Sequence, residues 1–193
     1  MGYTQYTKHK LDTWISPGKS IIDLGSQNDY SGPVPAPYIS EWYAKKRMAY
    51  ACIDLNGENG ALTHDLAIIQ DYKPEFDLVV DAGTSEHVGV NGEFSWEGLY
   101  NCWLNKFNLC KQGGYIHSEN PQTASWPLHG FNYYTAEFYY QLAAACDMAI
   151  MMIELYPAMN NTRNGWNVCC TLWKQGPKFL DLDTFKTFDL RQS

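Results

Sequence analysis

The chain has 193 residues, with 14 Lys and Arg set against 21 Asp and Glu for a formal charge of −7. A hydrophobic content of 45% with 15% aromatics excludes disorder over most of the length, and 193 residues are most simply one domain with a sizeable core. The acidic balance disfavours nucleic acid, whose nonspecific binding needs clustered cations; the densest cluster here is only Lys45-Lys46-Arg47.

No run of eighteen apolar residues occurs. The longest candidate, residues 142–153, is broken by Asp147, so no transmembrane helix and no membrane partner are expected. The first residues lack a charged region followed by an apolar core, which argues against a signal peptide. Tyr6 stands where a myristoylation motif wants Ser or Thr. Cys52, Cys102, Cys110, Cys146, Cys169 and Cys170 show no C-x-x-C spacing and mostly sit in apolar runs, so they read as buried thiols of a cytoplasmic protein. Asn160-Asn161-Thr162 matches a glycosylation acceptor that would be idle without secretion.

In chain order, Tyr3, Tyr6, Leu11 and Trp14 have roughly helical spacing, and Ser16-Pro17-Gly18 stops that helix. Residues 20–24 form a first strand, the proline-rich stretch 32–37 a stiff loop, and residues 38–46 a short helix. A second strand spans 50–55, a turn 56–60 follows, and 61–65 leads to another carboxylate. With 61–65 counted as the third, residues 76–82 are a fourth strand candidate, opened by Pro74. Phe94, Leu99, Cys102, Trp103, Lys106 and Leu109 predict a helix over 94–110, ended by Gln112-Gly113-Gly114 before a strand at 115–118. Thr135 caps a helix over 135–146 with Phe138, Leu142 and Cys146 on one face. Apolar runs at 150–155 and 168–173, joined by the turn-rich 157–165, predict a hairpin at the sheet edge. Strands alternating with helices argue an α/β sheet covered on both faces.

The chemistry gathers at two strand ends. Residues 20–29 and 50–56 are apolar runs that each deliver an acid, Asp23 and Asp54, toward the carboxyl edge where open α/β sheets bind ligands. A dinucleotide site needs G-x-G-x-x-G so that backbone can approach a pyrophosphate; here Gly25 stands alone before Ser-Gln-Asn-Asp. A ligand with an adenosine ribose and no phosphates fits better, and S-adenosylmethionine is the natural candidate.

Over about residues 18–175 the pattern resembles the class I S-adenosylmethionine-dependent methyltransferases. Ile21-Ile-Asp-Leu-Gly25 is similar to motif I, Asp54 to the acid that takes the ribose hydroxyls, and His64-Asp65-Leu66 to the adenine-capping position. Phe76-Asp-Leu-Val-Val80 resembles motif IV, Ser85-Glu86-His87-Val88 the following "EHV" turn, and Lys111-Gln-Gly-Gly114 the "KPGG" turn. Gln27 and Asp29 replace the usual glycines, and Asp54 follows Gly25 at a longer spacing than usual. Gly25-Ser26 through Gly32 is similar to a divergent subgroup, several of which act on sugars. The resemblance implies a Rossmann-like, mostly parallel seven-stranded sheet with helices on both faces and a C-terminal antiparallel hairpin. It implies S-adenosylmethionine as cofactor, a small-molecule substrate, and cofactor contact through Asp23, Gly25, Ser26, Asp54, Leu55, Asp65, Leu66, Asp81 and Gly83. The expected reaction is methyl transfer to a small acceptor, a hydroxyl of a sugar-like molecule.

Each assignment has a plainer rival. Asp54 reads also as a turn acid before Asn56-Gly57, and Asp23 as a structural acid. His87 is a base for an acceptor hydroxyl or a loop anchor; His129, among Trp126, Phe131, Tyr133 and Tyr134, is a base in an aromatic substrate wall or part of the core. His117 is a third histidine candidate, while His9 and His64 read as incidental, with adenine contact the alternative for His64. No metal site is expected, since H-x-x-x-H and paired cysteines are missing and the acids are dispersed. The rivals for the whole chain are a non-catalytic methyltransferase-like binding domain and a nicotinamide-dependent Rossmann enzyme, which the missing glycines disfavour.

Overall fold

A computed structural model describes residues 2–32, 38–157 and 165–192. Residues 33–37 of the proline-rich stretch, residues 158–164 of the turn with its glycosylation sequence, Met1 and Ser193 lie outside the described residues. Helix α1 (Gln5–Leu11) opens on Thr4, whose hydroxyl accepts from the Thr7 amide while the Thr7 side chain returns the bond to the cap. Then follow β1 (Ser20–Leu24), α2 (Ser40–Lys45), β2 (Ala49–Ile53) and β3 (Phe76–Ala82). The second half holds α3 (Trp96–Leu109), β4 (Cys110–Pro121), β5 (Asn132–Tyr133), α4 (Ala136–Ala145), β6 (Met148–Pro157), β7 (Trp166–Lys174), α5 (Leu182–Phe185) and β8 (Arg191–Gln192). Thr135 caps α4 as expected, accepting from the Phe138 amide at 3.0 Å.

Six strands form the main sheet in the order β2-β1-β3-β4-β7-β6, where the expectation was seven. The first four are mutually parallel; β7 runs antiparallel to both β4 and β6. The missing strand is the 61–65 segment. It docks beside β2 through one bridge, with the Leu62 amide donating to Cys52 and the Asp54 amide to Leu62, and then leaves the sheet. Its residues Thr63, His64 and Asp65 have no apolar alternation to hold them in a ladder. The expected turn at 112–114 is an interruption inside β4: the register with β3 jumps from Phe76–Cys110 to Leu78–Tyr115, and Gly113 takes φ +77° at the excursion. Strands β5 and β8 pair separately.

Strand alternation sorts the side chains into two layers. Ile22, Leu24, Val79 and Ile116 pack under α3, α4 and α5 against Leu99, Trp103, Phe138, Leu142 and Phe185. Ile21, Leu78 and Val80 point to the other face, where Tyr3, Leu11, Ile39 and Tyr43 cover them from α1, α2 and their approaches. The six cysteines are free thiols, all buried. No described helix is long and apolar enough to cross a membrane.

Candidate active site

A cleft of about 370 Å³ opens at the carboxyl ends of β1, β2 and β3. Gly25, Ser26 and Gln27 form one wall and Asp54 and Leu55 a second; His64, Asp65 and Leu66 lie at one end, and Gly83, Thr84 and His87 at the other. Seven of the nine expected cofactor residues therefore line one cleft. Gly25 has φ +91°, and a Cβ there would sit 2.6 Å from both the Gln27 amide nitrogen and the Thr84 hydroxyl, so only glycine fits. Asp54 is partly exposed at the tip of β2 and accepts from the Ser26 amide at 2.8 Å and the Asn56 amide at 3.3 Å. Asp65 accepts from the Ala67 amide at 2.8 Å, and His64 bonds the Tyr72 hydroxyl at 2.8 Å.

Asp23 and Asp81 are corrections: neither lines the cleft. Asp23 shares strand parity with Ile21, so its carboxyl turns to the α1 and α2 face, where it accepts from the hydroxyls of Tyr3 and Tyr50. Burial there pushes its pKa up to about 7 against the lowering effect of those hydrogen bonds. Asp81 shares parity with Val79 and turns to α3, where Lys106 meets it at 2.5 Å with both side chains fully buried. It accepts as well from the Thr84 amide (3.0 Å), the Ser85 amide (3.1 Å), the Ser85 hydroxyl (2.5 Å) and Asn120 (3.0 Å). Burial alone would raise its pKa, but Lys106 and these hydrogen bonds outweigh burial and hold it at about 2. Asp81 thus fixes the 3₁₀ turn Ser85–His87 from below.

That turn and the 126–134 segment are clamped together. The Glu86 carbonyl accepts from the Phe131 amide at 2.7 Å, and Asn132 donates to the Ser85 and Val88 carbonyls, each at 2.9 Å. A Cβ on Gly130 would lie 2.6 Å from the Glu86 carbonyl oxygen, so the missing side chain permits the close approach. The Tyr133 hydroxyl donates to the Trp126 carbonyl at 2.6 Å and accepts from the His129 amide at 2.9 Å, shaping the loop that presents His129. The His87 and His129 rings consequently meet edge to face with centroids 4.9 Å apart. Burial lowers the His87 pKa, partly offset by Glu86. The expected aromatic wall is thinner than its sequence: Tyr133 and Tyr134 are buried, leaving Trp126 and Phe131 partly exposed.

The remaining candidate, His117, lies far from solvent on β4, bonded to the Thr171 hydroxyl at 2.9 Å, with burial holding its pKa at about 4. Glu119 shares its face and accepts from Thr7 of α1 at 3.1 Å. The two residues in place of motif glycines have structural partners. Gln27 folds back to donate to the Leu24 carbonyl (3.2 Å) and the Thr84 hydroxyl (3.1 Å), and Asp29 pairs with Lys8 of α1. Glu86 was not singled out as a chemical group from sequence, although its place between two such loops makes it central.

No family model and no curated protein matches this sequence. Solved structures do share the fold: several are described as methyltransferases, and one as a putative zinc-dependent alcohol dehydrogenase from Rhodobacter sphaeroides. One from Methanosarcina mazei superposes with a TM-score of 0.59 at 12% identity over 94% of this chain and 100% of its own. The 1,6-didemethyltoxoflavin-N1-methyltransferase of Burkholderia thailandensis, solved with 1,6-didemethyltoxoflavin and S-adenosylhomocysteine, gives 0.58 at 11% identity over 82% and 72%. The N-methyltransferase NodS of Bradyrhizobium japonicum gives 0.56 at 11% over 88% and 92%. The chain has the fold of the class I methyltransferases.

Proposed function

We propose that the chain, acting as one unit over 1–193, is an S-adenosylmethionine-dependent methyltransferase for a small acceptor, with a hydroxyl of a sugar-like molecule as the methylated group. The observation that carries this reading is the Asp54 carboxylate at the tip of β2, open to a cleft at the carboxyl ends of three parallel strands. A carboxylate there can accept from two vicinal hydroxyls at once, the requirement of an adenosine ribose, and the single-glycine turn at Gly25 suits a ligand without a pyrophosphate.

Gly25 and Ser26 would hold the amino-acid end of the cofactor by backbone, Asp54 and Leu55 the ribose, Asp65 and Leu66 the adenine, and Gly83 the side toward the acceptor. When bound, S-adenosylmethionine supplies a methyl group on a sulfonium already activated for displacement, so the protein's work is alignment and exclusion of water. His87 lines the cleft and His129 stands beside it; either imidazole can take the proton of an acceptor hydroxyl, with Glu86 stabilising the charge that results. Asp81 and Lys106 act at one remove, by fixing the turn that carries both Glu86 and His87.

Asp54→Ala removes the acceptor for the ribose hydroxyls and should weaken S-adenosylhomocysteine binding by about 1.5–3 kcal/mol, roughly 10- to 150-fold, whereas Asp54→Asn keeps one acceptor and should lose less. Titration calorimetry on folded variants measures this directly. Unchanged affinity in Asp54→Ala would remove Asp54 from the cofactor site.

A further inference from the structure

The Glu86 side chain is fully buried, and neither carboxylate oxygen has a hydrogen-bond partner among the described residues. The buried Nε2 of His129 is likewise unpartnered. A charge in that condition is costly unless something compensates it. Lys106, the nearby buried cation, is already committed to Asp81. Two imidazoles instead converge on Glu86: Nε2 of His87 and Nε2 of His129 each stand 3.6 Å from Oε1. That is too long for a hydrogen bond. It is close to the edge of a tetrahedron built on metal bonds of about 2.1 Å, which is about 3.4 Å. The three potential ligand atoms lie within 4.8 Å of one another.

We propose that Glu86, His87 and His129 form a binding site for a divalent first-row transition-metal ion. Two imidazoles and one carboxylate are a donor set that suits Zn²⁺, Co²⁺ or Fe²⁺, and three protein ligands leave coordination positions open. The site is built before any ion arrives, because the bonds from Phe131 and Asn132 and the space left by Gly130 hold His129 against Glu86. His87, 45% exposed and lining the cleft, provides the entry path. A second group of potential ligands, His117, Glu119 and Cys169, is fully buried on the α1 face and has no opening to the cleft. An ion at Glu86 would be within reach of an acceptor oxygen in the cleft and would lower that oxygen's pKa, its proton leaving to water, so the ion would take over the base role of the imidazoles. This use of the ion rests on the methyltransferase reading; the binding of the ion does not.

The test is titration of the chelator-treated full chain with Co²⁺, followed by visible absorption, and with Zn²⁺, followed by calorimetry, in the absence of any cofactor. The expected result is stoichiometric uptake of one ion. Glu86→Gln and His129→Ala should weaken Zn²⁺ by roughly 100-fold or more, since even loss of a group outside the ligand set costs about 10- to 100-fold. His87→Ala, at a half-exposed position outside the buried core, should weaken it too and keeps the test decisive if a buried variant fails to fold. No stoichiometric uptake, or uptake unchanged in Glu86→Gln and His87→Ala, overturns the site and in the second case assigns the ion elsewhere. S-adenosylhomocysteine binding is measured on the same samples: metal uptake without it supports this site while removing the methyltransferase reading, and the cofactor product bound without metal does the reverse.

Discussion

Asp81→Ala is expected to destabilise the fold by about 3–5 kcal/mol in urea denaturation, because it leaves the Lys106 ammonium buried without its counter-charge. The same carboxylate gathers Thr84, Ser85 and Asn120, so its loss also leaves polar groups of the fully buried Ser85 and Asn120 without this partner. Removing both partners together, as in Asp81→Leu with Lys106→Met, should cost less than the sum of the single changes. The pH dependence has a definite sign. The folded pKa of about 2 lies below the unfolded value of about 3.9, so the contribution of Asp81 is fully present above about pH 5 and fades as pH falls through the two values. Wild type should therefore lose more stability between pH 5 and pH 2 than Asp81→Asn does. Equal losses would show that this carboxylate is not held ionised by Lys106.

The second large effect is on turnover. His129→Ala should lower the methylation rate by roughly 10²–10⁴, the range for loss of a group that manages the acceptor's proton, while leaving S-adenosylhomocysteine affinity within about twofold. The separation follows from position: His129 belongs to the loop after β4 and is not among the residues lining the cleft, while Gly25 and Asp54 line it just after β1 and β2. Calorimetry and rate are read on the same variant. Loss of both would make His129 a structural residue that shapes the cleft, and full activity would move the role to His87.

Much of this was legible because local pattern and tertiary role coincide. The apolar runs of β1, β2 and β3, the helical spacing of Leu99, Cys102, Trp103 and Lys106, and the Thr135 cap each state their element within a few residues. The place of Gly25 and Asp54 at the cleft was legible for a similar reason: they stand where strands end, at the carboxyl edge of the sheet. Asp23 and Asp81 were misread because they lie inside strands, where parity decides direction. Asp23 is two residues from Ile21 and Asp81 two from Val79, so the alternation that sorted the core already assigned each acid to a covered face. The seventh strand failed for want of an apolar pattern around Leu62. Glu86 with His129 was beyond any spacing rule, since their approach depends on Gly130 lying against the Glu86 backbone and on the Tyr133 hydroxyl closing the loop.

The central claim is that the cleft between Gly25 and Asp54 takes S-adenosylmethionine, and thermal unfolding with S-adenosylhomocysteine or NAD⁺ tests it most directly. A ligand that binds only the native state at a hundredfold excess over its dissociation constant adds about 2.7 kcal/mol. For a chain of this length that is a rise in Tm of about 5–10 °C. The account predicts that rise with S-adenosylhomocysteine, none with NAD⁺, and a diminished rise in Asp54→Ala; a rise with NAD⁺ and none with S-adenosylhomocysteine would contradict it.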